Sequence, residues 1–174
     1  MSSEIKLITG GIKSGKSNFA LKLSSTYTRK YFVATAEPFD DEMKQKIQRH
    51  QDERDTSYET IEAPLDLAST IEELTRTKHD IDACIIIDCI TIWLNNLFYH
   101  NKNVDEKLSS LLEALKTSQL PTFIVTNEIG LGLISTDSAT RNYTNTLGSL
   151  NQQLMRLSSE AFLMVSGAPI RIKP

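Results

Sequence analysis

Four things are scarce in this chain, and each scarcity excludes something. Cysteine occurs twice in 174 residues, at Cys84 and Cys89. Two thiols supply neither a disulfide framework nor a four-ligand zinc site. Both border the apolar run "ACIII", so buried free thiols are expected. Long hydrophobic runs are missing: that run is only of strand length, and no window approaches the roughly 18 apolar residues that cross a bilayer. The opening "MSSEIKL" lacks the basic and apolar regions of a secretory leader. A cytoplasmic protein without membrane insertion is therefore expected. Positive charge is not in excess either, since 19 Lys and Arg face 22 Asp and Glu for a net charge of −3. Nucleic acid and anionic membrane are poor partners for such a chain. Glycine is the fourth scarcity, with seven in all, yet three of them fall within "ITGGIKSGKS", residues 8–17.

What is present is an ordinary globular composition, 40% hydrophobic and 24% charged, in a length that suits one domain over residues 1–174. Short apolar, β-branched runs at 5–9, 31–35, 83–88, 122–126 and 161–166 predict strands, and 58–61 predicts one more. Helix-period segments separate them at 16–25, 41–54, 65–77, 91–99, 104–118 and 140–158. Such alternation predicts an α/β fold with a mostly parallel sheet flanked by helices. The closing "GAPIRIK" predicts a turn and a last edge strand, antiparallel to the rest.

The clustered glycines sit between the first strand and the first helix. Gly10, four residues, then Gly15, Lys16 and Ser17 match G-x-x-x-x-G-K-[ST]. In such a P-loop the glycines let successive N–H groups turn inward on phosphate oxygens, and the helix N-terminus adds positive partial charge. Residues Gly10, Gly11, Ile12, Lys13, Ser14, Gly15, Lys16 and Ser17 form the expected nucleotide cradle. Lys16 would reach the β- and γ-phosphates, and the Ser17 hydroxyl would ligate Mg²⁺.

A P-loop needs an acidic partner. In "CIIIDCIT" four apolar residues precede Asp88, which places it at the carboxyl end of a buried strand, where open parallel sheets bind ligands. There it can hold Mg²⁺; the alternative is that it caps the helix beginning at "TIWLNNLF". Glu128 in "FIVTNEIG" ends the next strand in the same way and can be a base, a metal contact or a cap. The segment "DDEMKQKIQRHQDER" puts Met43, Ile47, His50 and Arg54 on one helix face. Periodicity by itself reads His50 as a half-buried helix histidine. His79 and His100 lie in polar, loop-like contexts and read as surface residues.

Taken together, "ITGGIKSGKS", "YFVATAEPFDDEMKQKIQRHQDER", "IIIDCITIWLNNLF", "IVTNEIGLGLI", "LGSLNQQL" and "LMVSGAPIRIK" resemble, nearly end to end and in order, the bifunctional adenosylcobinamide kinase / adenosylcobinamide-phosphate guanylyltransferase family of cobalamin synthesis. The resemblance implies a P-loop domain of the RecA type and two reactions at one nucleotide site. A nucleoside triphosphate, ATP or GTP, phosphorylates the aminopropanol hydroxyl of adenosylcobinamide. GMP from GTP is then joined to that phosphate, giving adenosylcobinamide-GDP. By the same resemblance His50 is the nucleophile that carries GMP. Further GTP contacts are implied at Thr35, Ala36 and Glu37, at Gln51, Asp52, Glu53 and Arg54, and at Glu62 and Asp88. A small homo-oligomer, a trimer, is also implied. The chain departs from the family at Ser135, where proline is usual, and at Thr144 and Asn145, where an arginine-aspartate pair is usual. These departures bear on corrinoid contacts or a subunit interface more than on nucleotide chemistry. Two simpler readings stand beside this one: a P-loop small-molecule kinase with a structural His50, and a nucleotide-dependent switch or binding protein.

Overall fold

A computed structural model describes residues 4–37, 56–77 and 82–174. Its strands are β1 (Ile5–Gly10), β2 (Arg29–Ala34), β3 (Tyr58–Glu62), β4 (Ala83–Asp88), β5 (Thr122–Val125), β6 (Glu160–Val165) and β7 (Ala168–Lys173). Its helices are α1 (Lys16–Leu23), α2 (Leu67–Thr77), α3 (Ile90–Tyr99), α4 (Val104–Thr117) and α5 (Ser138–Leu157). The expected helix at 41–54, with His50, Gln51, Asp52, Glu53 and Arg54, lies outside the described residues, as does His79.

The strands form one sheet in the order β3-β2-β4-β5-β1-β6-β7. Every pairing is parallel except that of β7, which runs antiparallel to β6. Ser166 and Gly167, at φ 49° and 86°, make the tight turn between them, the left-handed pair that two-residue hairpins favour. The central strands are covered on both faces, which is why they read as continuous apolar runs. Leu7, Val33, Ile85, Ile87 and Ile124 pack toward α2, α3, α4 and α5. Ile8, Phe32, Ile86, Phe123 and Val125 face the other way, toward α1.

Three boundaries differ from the sequence expectation for identifiable reasons. β2 begins at Arg29 because its polar side chains find partners in, and just before, the neighbouring strand β3. Arg29 pairs with Glu59 at 2.6 Å, and the buried Lys30 donates to Ser57 Oγ at 2.9 Å while lying 4.9 Å from the Tyr58 ring centroid. α1 stops at Leu23 and tightens into a 3₁₀ turn at Ser24–Thr26. Ser24 and Ser25 hydroxyls donate back to the Leu21 and Lys22 carbonyls, at 3.1 and 2.8 Å. Serine side chains that compete for backbone carbonyls disfavour further α-helix. α5 starts two residues earlier than its apolar pattern does, because Asp137 caps it by accepting the Thr140 N–H at 2.7 Å.

Candidate active site

All of the carboxyl ends of β1 to β5 lie along one edge of the sheet, since those strands are parallel. Reading across the order gives Glu62 ending β3, Thr35 to Glu37 after β2, Asp88 ending β4, Glu128 after β5, and the 10–17 loop at the end of β1. At about 4.8 Å per strand, β3 stands four strands or roughly 19 Å from β1. The edge therefore suits an elongated ligand, with Glu62 far from the phosphate cradle.

The 10–17 loop is shaped by its glycines. Gly10 has φ 149°, and a Cβ there would fall 2.5 Å from the Met164 carbonyl oxygen and 2.8 Å from Ser14 Oγ. Gly15 is the N-cap of α1 at φ 93°, a left-handed value that L side chains disfavour. Among the described residues no side chain caps α1, and its first turn contains no acid, so its N-terminal N–H groups and dipole suit an anion. The loop is braced from both sides. Glu128 N–H donates to Gly10 O at 3.0 Å, and Gly167 N–H donates to Ser14 O at 3.0 Å. Lys16 is buried, and its Nζ curls over the loop to donate to Gly11 O at 2.6 Å. Ser14 Oγ is buried and has no hydrogen-bond partner among the described residues. Ile12 projects into solvent. Gly10→Ala is expected to distort this loop, costing about 1–3 kcal/mol and weakening nucleotide binding. A thermal melt with a nucleotide titration checks this, and wild-type behaviour in both would contradict the close approach.

Asp88 sits in register with Ala34 and Val125. The N-cap of α3 is Cys89, so Asp88 stands one residue outside the capping position and the helix-cap alternative does not hold. Glu128 is likewise no helix cap, since the next helix begins ten residues later under Asp137. The peptide bond between Asp88 and Cys89 is cis.

Thr35 is fully buried. Its hydroxyl donates to Cys89 O at 2.8 Å and accepts the Cys89 N–H at 2.9 Å. It thereby joins the exits of β2 and β4 and leaves Ala36 and Glu37 more open to solvent. Glu37 pairs with His100 Nε2 at 2.9 Å. His100 is thus a surface residue, as read, but one that holds a site candidate.

Sequence reasoning missed the polar bracing beneath this edge. Asn96 is buried on α3 and donates to Thr35 O at 2.7 Å and Pro64 O at 3.0 Å. Thr91 Oγ1 accepts the Asn127 N–H at 2.7 Å, and its carbonyl accepts from Tyr143 OH at 2.8 Å. Asn151 accepts from the Thr126 hydroxyl at 2.8 Å and donates to Asn127 O at 3.0 Å. The available signal was a polar residue inside an apolar helical stripe, as Asn96 is in "TIWLNNLF". Burying an amide or hydroxyl this deeply is costly, and these hydrogen bonds offset much of that cost.

The thiols are both free. Cys84 is buried as expected, whereas Cys89 is half-buried. Burial pushes the Cys84 thiol up to about 12. Burial, and then the neighbouring Asp88 charge, pushes Cys89 up to about 11. Neither is a thiolate near neutral pH, which removes both as nucleophiles there. Ser135, Thr144 and Asn145 line one open cleft of about 850 Å³ between the segment after β5 and α5.

The parallel sheet with a phosphate-type loop after β1 and an acid ending β4 defines a P-loop nucleotide-binding protein of the RecA-like kind. Solved structures agree on the fold. A KaiC-like protein from Pyrococcus horikoshii superposes with a TM-score of 0.56 at 16% identity, over 93% of this chain and 71% of that one. The RadB recombinase does so with a TM-score of 0.53 at 15% identity, over 92% and 73%. A family model described as cobinamide kinase / cobinamide phosphate guanyltransferase matches residues 6–172, and the chain belongs to that family. It is 32% identical over 170 residues to a bifunctional adenosylcobalamin biosynthesis protein of Pseudomonas aeruginosa, covering 96% of each chain. A protein of the same description from Escherichia coli is 29% identical over 182 residues, covering 96% of this chain and 98% of its own.

Proposed function

We propose that this chain phosphorylates the aminopropanol hydroxyl of adenosylcobinamide from ATP or GTP, and then transfers GMP from GTP to that phosphate through His50. The observation that carries the reading is the alignment of the Lys16 loop and Asp88 on one sheet edge, in a chain of the cobinamide kinase family.

In the first reaction the acceptor hydroxyl oxygen forms a bond to the γ-phosphorus. The bond to the β,γ-bridging oxygen breaks, and the nucleoside diphosphate leaves. Little covalent chemistry falls to the protein in phosphoryl transfer; positioning and charge neutralisation dominate. The 10–15 backbone and the α1 N-terminus orient the phosphates, and Lys16 neutralises their charge. In the second reaction an imidazole nitrogen of His50 attacks the α-phosphorus and pyrophosphate leaves. The acceptor phosphate oxygen then displaces the histidine and forms the new diphosphate link. A neutral imidazole is a competent nucleophile near pH 7. Ala36, Glu37, Gln51 to Arg54 and Glu62 are assigned to GTP, with Glu62 toward its nucleoside end and the buried Thr35 acting by holding the chain that carries Ala36 and Glu37.

Mg²⁺ suits the donors at hand. No cluster of three His, Cys, Asp or Glu side chains able to hold a metal exists among the described residues. Mg²⁺ does not need one, because it keeps several waters and binds through one or two protein oxygens plus substrate phosphates. Ser17 and Asp88 would hold it, and when bound it neutralises the charge that builds on the phosphate oxygens. Asp88→Asn is expected to weaken nucleotide binding about tenfold with Mg²⁺ present, about 1.4 kcal/mol, and little in chelator. Equal weakening in both would place Asp88 outside the metal set.

We further propose a homo-oligomer, a trimer, as the working form. No helix among the described residues is long and apolar enough to cross a membrane. The test of function is direct. Incubation with GTP labelled at the α-phosphate should leave an acid-labile label on the protein. Cobinamide plus ATP should yield the phosphate ester. A simple kinase gives the ester without the label, and a nucleotide switch gives neither.

A further inference from the structure

We propose that the cleft between residues 129–135 and α5 is the acceptor subsite, which seats the corrinoid macrocycle beside the nucleotide. This rests on the cobinamide kinase and guanylyltransferase reading above.

Position comes first. β5 lies between β4 and β1, so the segment leaving β5 emerges between Asp88 and the phosphate loop. Its first residues touch that loop through the Glu128 N–H to Gly10 O bond at 3.0 Å. The cleft begins at the very next residue, Ile129. A ligand seated there has one end at the place where the γ-phosphate is delivered. The neighbouring elements also hold the cleft wall still: Tyr143, on the α5 side, is anchored to Thr91 O at 2.8 Å.

Size and chemistry come next. At about 850 Å³ the cleft is far larger than an ion or a water cluster requires, and lies in the range that holds sizeable organic ligands. Leu133 and Ile134 form an apolar side, and Thr144, Asn145, Ser149 and Gln152 offer neutral hydrogen-bonding groups. Among the described residues no carboxylate lines it, and the one charged residue is Arg141. The Arg141 guanidinium donates to Ser135 O at 3.0 Å and Thr136 O at 2.7 Å, so it pins the loop. A corrinoid is a broad macrocycle with apolar faces and neutral amide arms, and this lining matches it. A second nucleotide would call for cationic donors and a phosphate cradle instead.

Two details fit a site awaiting a ligand. Leu131, Leu133 and Ile134 are 83, 102 and 86% exposed, three large apolar side chains within four residues. Apolar groups gathered in this way mark a binding surface more often than a bare one. On the opposite wall, a Cβ added at Gly148 would meet nothing within 4 Å, so that part of α5 is open floor.

The test measures binding and needs no turnover. Cobinamide in its dicyano form is followed by visible absorbance in equilibrium dialysis, and a fluorescent GTP analogue is titrated in parallel. Gly148→Leu fills the floor, and Leu133→Ser removes an apolar side chain that packs on nothing. Both are expected to weaken cobinamide binding, at least tenfold for Gly148→Leu, while the GTP analogue binds within twofold of wild type. Should Gly148→Leu fail to fold, the double variant Leu133→Ser with Ile134→Ser decides on the same measurements. Wild-type cobinamide affinity in the folded variants overturns the subsite and leaves the family reading standing. A wild-type protein that binds the GTP analogue but no cobinamide overturns both. A Leu133→Ser protein that loses an oligomer by light scattering yet keeps cobinamide affinity shows the loop to be a subunit contact, and that too overturns the subsite.

Discussion

Lys16→Ala is expected to lose both activities by 10²-fold or more, which corresponds to about 2.7 kcal/mol or more of transition-state stabilisation. Lys16 is buried beneath the loop, with its ammonium 2.6 Å from Gly11 O, on the same side as the open α1 N-terminus. Both reactions develop negative charge on phosphate oxygens, and a preorganised cation there acts more strongly than one in water. The fold should persist, because the loop is braced independently through the Glu128 and Gly167 N–H groups. Lys16→Arg should not restore activity, since a planar fork replaces a compact point charge in a tight loop. Steady-state rates for both steps, with a thermal melt as control, check this. Near-normal turnover in Lys16→Ala would remove the loop from the mechanism.

His50→Asn is expected to separate the two reactions. Asparagine keeps polarity and approximate size but forms no phosphoramidate. The labelled GMP adduct and GMP transfer should fall to background, while phosphorylation of adenosylcobinamide persists to a substantial degree. The kinase step breaks a different bond and needs no protein nucleophile. Intact-protein mass spectrometry after GTP treatment, with peptide mapping, reads the adduct directly. GMP transfer by His50→Asn, or an adduct on His79 or His100, would sink the assignment. Loss of both activities with a lowered melting temperature would return His50 to a structural role.

Much of the candidate site's layout is legible in the sequence because its information is contiguous. Gly10 to Ser17 form one unbroken stretch whose spacing, strand and helix all agree. Asp88 declares itself by ending the run "ACIII", and α5 by its long apolar periodicity. The uncertain points were those in which two roles share one local pattern. An acid after a strand and before a helix can be a ligand or a cap. Placing the N-cap of α3 at Cys89 and that of α5 at Asp137 takes the cap role away from Asp88 and Glu128. β2 was read short because Arg29 and Lys30 are polar, and only their partners across the strand, Glu59 and Ser57, show why they belong to it.

By itself the sequence determined the alternation of strands and helices, the phosphate loop and the family. Each of these is encoded in local periodicity or in a motif that needs no distant residue. The tertiary structure alone decided the order of strands, and with it which residues become neighbours. Placing β5 between β1 and β4 sets Glu128 against Gly10 and opens the 850 Å³ cleft beside the loop. Packing α3 beside the β2 exit joins Asn96 to Thr35 across 61 positions of chain and His100 to Glu37 across 63. Such pairings arise from burial and hydrogen-bond satisfaction over the whole sheet. A buried amide must find a partner somewhere, but its own neighbours in sequence do not say where.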